Sequence, residues 1–105
     1  MIARLWHGWT APEDADDYER LLREELFPRF AAEVGDGYEG AELLRRGVED
    51  GGEVEFLTQI YFDSREALEA FAGEDYEQAH IPPAAEALLA RYEDRATHYE
   101  VREPR

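Results

Sequence analysis

The chain carries 26 acidic and 11 basic residues over 105 positions, a formal net charge of −15; the length suits one domain with a modest core, and the charge repels phosphate backbones and anionic membrane surfaces, so no nucleic acid and no membrane is expected as a partner. With no cysteine, disulfides, thiolate metal sites and a cysteine nucleophile are excluded. All basic residues are arginine, with no lysine and no asparagine; so dense a carboxylate surface suits a high-salt cytoplasm, where counter-ions screen its repulsion.

In chain order, residues 2 to 9 are rich in β-branched and aromatic side chains and read as a strand, with no long apolar stretch behind a basic start that would mark a leader. A cytoplasmic location is expected. Thr10 and Glu13 have the spacing of a capping box for a first helix, along which Tyr18, Leu21, Leu22 and Leu26 form one apolar stripe. Pro28 should end or kink that helix, and a further short turn through Phe30 and Val34 should run to the Gly35-Asp36-Gly37 stop. Residues 38 to 48 and 53 to 62 read as strands joined by a tight turn at Glu49-Asp50-Gly51-Gly52. Asp63, three residues before Glu66, is expected to cap a second helix carrying Leu68, Phe71 and Ala72 and stopped at Gly73. Residues 74 to 92 read as short helical pieces around Pro82-Pro83, with Leu88, Leu89 and Tyr92 facing inward. Residues 97 to 102, THYEVR, close as a strand.

The order strand, helix, strand, strand, helix, strand predicts an α+β, ferredoxin-like βαββαβ fold, an antiparallel sheet with helices on one face. Both faces of that sheet are apolar. In the third strand Val54, Phe56, Ile60 and Phe62 oppose Leu57 and Tyr61, and in the first Ile2 and Trp6 oppose Ala3, Leu5 and Trp9. Two helices cover one face, so a partner is expected on the other, most simply a second copy in a homodimer.

The segments MIARLWHGWT, EVEFLTQIYFDSREALEAFAG, EDYEQAHIPPAAEALL and THYEV resemble the antibiotic biosynthesis monooxygenase family, whose members are dimeric α/β barrels and include heme-degrading enzymes. The resemblance implies a homodimer with a small pocket in each subunit, between sheet and helices. Heme-degrading relatives have an asparagine late in the first strand, a tryptophan in the second helix and an iron-ligating histidine shortly after it. Those positions hold His7, Phe71 and His80 in this chain, so one of the three is kept. The quinone-forming members oxidise polycyclic phenols with oxygen and no cofactor, which requires an apolar cavity and a base.

Three functions are thus open. The first is a cofactor-independent monooxygenase acting on a small aromatic or polyketide-like compound, with His7 and His80 as base or polar anchor. The second is a heme-binding or heme-degrading protein with His80 on the iron, and the third a small-molecule-binding dimer without catalysis. For the hydrophobic or aromatic ligand, Trp9, Gln59, Tyr61, Phe71 and Tyr76 are the candidate contacts. His7 is assigned to the helix-covered face, and His98 to a strand position near the dimer seam. No histidine spacing suggests zinc, and there is neither a phosphate loop nor a serine elbow.

Overall fold

A computed structural model describes residues 1–47 and 51–103. Strand β1 (Ile2–Thr10) runs through the middle of an antiparallel sheet. One of its edges pairs along its whole length with β3 (Val54–Phe62), from Ile2 opposite Phe62 to Thr10 opposite Val54. Beyond β3 lies the edge strand β2 (Tyr38–Arg46), with a bulge between Tyr38 and Gly40. The other edge of β1 is shared by two short strands. β4 (Leu89–Tyr92) pairs near Gly8 to Thr10, and β5 (Thr97–Glu100) pairs with Ile2 to Leu5.

This is the expected ferredoxin-like sheet with its last strand divided. Glu93 occupies the gap. Its N–H donates to the His7 carbonyl at 3.1 Å, its carbonyl accepts from Trp6 Nε1 at 2.7 Å, and its carboxylate accepts from the His7 N–H at 2.9 Å. The middle of β1 is therefore satisfied by one residue and not by a ladder, as buried backbone requires. Residues 89 to 92, expected as helix, are strand because they complete this edge.

The first helical segment packs on the even-numbered residues of β3. It comprises α1 (Ala15–Leu21), a wide turn at Leu22–Leu26, and α2 (Phe27–Val34). Pro28 neither ends nor sharply breaks it. A proline has no N–H and its ring collides with the carbonyl four residues back; here the Phe27 N–H already reaches back five residues to Leu22, widening the turn just before the proline. Tyr18, Leu22 and Leu26 are buried against Val54 and Phe56, and the Tyr18 and Phe56 rings meet edge to face at 4.8 Å. Each such burial contributes about 1.5–3 kcal/mol.

The expected Thr10 cap does not form. Pairing of β1 continues through Thr10, whose hydroxyl is buried with no hydrogen-bond partner among the described residues. The helix opens instead on a tight turn, Pro12–Asp14, with proline in its first turn. The second cap shifts by one residue. Asp63 donates its N–H to Gly37 at the strand exit, and Ser64 accepts from the Ala67 N–H to start α3 (Arg65–Ala72). Gly73, at φ 82° and ψ −177°, ends α3 at a positive φ that only glycine adopts readily. α3 buries Leu68 against Ile60 and Phe62. Gly37 lets the α2–β2 connection pass close to α3, since a Cβ there would lie 2.4 Å from that of Ala67.

After Gly73 the chain runs irregularly to a single helical turn, α4 (Pro83–Glu86). The Gln78–Arg95 bridge, Ala79 N–H to Asp94 and Ala96 N–H to Glu77 fasten this stretch to the sheet edge. The turn expected at 49–52 includes Glu49 and Asp50, which lie outside the described residues.

Candidate functional site

Cross-strand partners share a face of a sheet, so the β1–β3 register sorts the side chains of β1. Ile2, Arg4, Trp6, Gly8 and Thr10 lie opposite the even residues of β3, which pack under the helices, while Ala3, Leu5, His7 and Trp9 lie opposite the odd residues on the open face. His7, assigned from sequence to the helix side, is on the open side. Leu5 and Trp9 are there with it.

Between helices and sheet lies a cavity of about 60 Å³. Trp6 and Ile60 line its floor; Tyr18, Leu22, Phe30 and Phe71 reach it from the helices. It continues into an outer groove of about 340 Å³ beside Arg29 and Glu33, and the two spaces share Phe30, Phe71, His80, Ile81 and Pro82. His80 therefore stands at the neck. Its side chain is exposed and makes no hydrogen bond to another described residue, so both ring nitrogens are available to a ligand. Pro82, at φ −57° and ψ 144°, sets the turn that holds the neck beside α2 and α3.

Arg4 is the charged group of this cavity and is 5 % exposed. One terminal nitrogen donates to the Tyr76 carbonyl and lies 3.0 Å from His98 Nε2; the other donates to the Gln78 carbonyl at 3.3 Å. The guanidinium also packs on the Phe71 ring, 5.4 Å from its centroid. Burial pushes its pKa down to about 10. Because a guanidinium only donates, His98 Nε2 must accept, which places the imidazole proton on Nδ1. Desolvation lowers the pKa of His98 and the charge of Arg4 adds to this, with Glu77 acting the other way.

The remaining candidates divide. Phe71 lines the cavity. Tyr76 does not; it packs edge to face on His98 at 5.1 Å, in a recess shared with Leu68 and Tyr99. Trp9, Gln59 and Tyr61 lie on the open face with His7. There His7 is held between Glu93, 2.8 Å from Nδ1, and Glu55, 3.4 Å from Nε2. Trp9 stacks on the His7 ring at 5.9 Å, with the Arg91 guanidinium 3.9 Å from its own centroid. The Tyr61 hydroxyl donates to Glu42 at 2.8 Å and lies 2.7 Å from Gln59 Oε1; the Glu42 hydrogen bond raises its pKa first, burial second.

Among the cavity residues that sequence reasoning missed, Arg4 and Trp6 bear the polar and flat aromatic groups, while Tyr18, Leu22 and Phe30 were legible only as packing. The available signal was a cation at the inward phase of a central strand, between Ile2 and Trp6.

The cavity can take a flat apolar group past a histidine toward a buried cation. The inner space fits a porphyrin poorly, since it is only about 60 Å³ and Phe30 and Phe71 already meet edge to face at 4.9 Å beside it. His80 has the chemistry and exposure of an axial ligand, and a porphyrin would reach it only from the outer groove.

The fold and cavity define an α+β protein of ferredoxin-like type that encloses an apolar site between sheet and helices. No protein-family model matches the chain, and no curated protein does. Among solved structures it is similar to Rv0793 from Mycobacterium tuberculosis, at 21 % identity and TM-score 0.61 over 98 % of this chain and 96 % of that one. It is also similar to a Bacillus cereus protein provisionally described as an antibiotic biosynthesis monooxygenase, at 17 % identity and TM-score 0.56 over 99 % of this chain and 94 % of that one. With both it shares the fold.

Proposed function

We propose that this protein is a monooxygenase of the antibiotic biosynthesis type, oxidising a small aromatic or polyketide-like phenol with oxygen and no cofactor. The observation that carries this reading is His80, which makes no hydrogen bond to another described residue and stands at the neck of a largely apolar, partly open cavity. The fold shared with the Bacillus cereus protein supports the same type. His80 would take the phenol proton, and the apolar walls would keep water from the resulting electron-rich anion. With an anthrone, the anion combines with oxygen; the ring methylene becomes a carbonyl and the second oxygen atom leaves as water. The test is oxygen uptake with an anthrone, wild type against His80→Ala. A rate equal in the two proteins would discard His80 as the base, and binding without uptake would point to the non-catalytic reading.

The open face supports the homodimer reading. Leu44 and Tyr99 are 44 % and 57 % exposed there, beside the half-buried Leu5, Leu57, Trp9 and Tyr61. An apolar surface on one side of a sheet is stabilised by a second sheet packed against it. Sedimentation at micromolar concentration should give about twice the chain mass of 12.1 kDa; a 12.1 kDa particle would overturn this.

A further inference from the structure

We propose that the cavity takes its ligand as an anion, with the buried Arg4 guanidinium holding a charged oxygen, phenolate or carboxylate, on a flat and otherwise apolar molecule. This deepens the reading of the cavity as a substrate site and rests on it.

The observation is a missing counter-charge. The chain has 26 acidic residues, and Arg20, Arg23, Arg45, Arg46, Arg91, Arg95 and Arg102 each lie within 4 Å of a carboxylate. Arg4 is buried, yet no carboxylate of a described residue is within that distance. Its partners are two backbone carbonyls and an imidazole that accepts from it. Glu77, the acidic group felt at His98, is exposed and paired with Arg95. Proteins rarely bury a charge without an opposite one.

The donor count agrees. A guanidinium has five N–H groups, of which the three contacts engage three, leaving Nε–H and one hydrogen on Nη2. Two donors on one planar group suit an oxyanion. Phe71, packed on the guanidinium, and Trp6, beside it on β1, offer flat apolar surface to the rest of the ligand. The net charge of −15 works against anions in general, so a preference for them must come from a local cation.

Calorimetric titration at neutral pH and moderate salt tests this with two matched pairs: 1-naphthoate against 1-naphthalenemethanol, and 4-nitrophenolate against 4-nitroanisole. In the wild type the anion of at least one pair should bind about tenfold or more tightly than its neutral partner, and the pair that discriminates tells carboxylate from phenolate. Arg4→Gln should abolish the discrimination, while Arg4→Lys keeps part of it. Equal binding within both pairs, discrimination that survives in a folded Arg4→Gln, or no binding by any probe at millimolar concentration would each overturn the proposal. The last two outcomes leave Arg4 as a fastener of the 76–78 loop. Should Arg4→Gln unfold, the wild-type comparison decides alone. Bound anion without oxygen uptake would remove the monooxygenase reading and leave anion recognition standing.

Discussion

His7 and His80 lie on opposite sides of the sheet. His7 sits on the open face between Glu55 and Glu93, and His80 at the neck of the cavity under the helices. The two cannot act on one bound molecule, and their substitutions should separate. His80→Ala should lower the oxygen-uptake rate by about 10²–10⁴-fold, the usual range for a positioned base. His7→Ala, assayed at the same high protein concentration, should leave the rate within about twofold. An oxygen electrode decides, and the reverse pattern would move the chemistry to the open face.

Stability should depend on a few contacts. Leu68 is 1 % exposed between Ile60 and Phe62, so Leu68→Ala should cost about 2–5 kcal/mol in urea unfolding. Ser64→Ala, which removes the hydroxyl accepting from Ala67, should cost about 1 kcal/mol. Asp63→Ala should cost less than Ser64→Ala, because Asp63 contributes its backbone N–H to Gly37, which alanine keeps.

His98 should make stability fall on mild acidification. Desolvation and then Arg4 hold its folded pKa below the ordinary value of 6.5. Protons therefore bind the unfolded chain more readily than the folded one. The contribution is fully present above pH 6.5 and is lost as pH falls through the lowered folded value. Arg4, Tyr76 and Glu77 face this ring, and all remain in His98→Gln. Between pH 7 and pH 5 the wild type should lose more of its thermal midpoint than His98→Gln; parallel curves would show that His98 is not the group responsible.

Salt should stabilise the fold. With a charge of −15 over 105 residues, repulsion among surface carboxylates weakens as the screening length shrinks from about 10 Å at 0.1 M to about 3 Å at 1 M. The thermal midpoint in potassium chloride should rise over that interval. A flat or falling midpoint would mean that local pairs such as Arg45 with Asp16 and Glu19 already neutralise the surface.

The sheet was legible in the sequence because alternation in β3 is strict: Val54, Phe56, Ile60 and Phe62 share one face, and the structure buries all four. The caps were legible only to within a residue or more, since Thr10 and Asp63 are good cap residues that backbone pairing recruited first. The site was half legible. Phe71 and His80 reached the cavity, being held by a helix and a proline turn that sequence signals mark. His7 was placed on the wrong face because the apolar residues of β1 lie on both sides, so its phase is fixed only by the register with β3. Arg4 was legible only as a cation in phase with Ile2 and Trp6; its burial depends on the 74–80 stretch folding over it.

Arg4 grips the 76–78 stretch by main-chain carbonyls and leaves its side chains untouched. Every residue has a carbonyl, so Glu77 and Gln78 can be exchanged without loosening that grip. The stretch leading into the neck at His80 is thereby anchored by a strand residue deep in the fold, while its own side chains are free to drift.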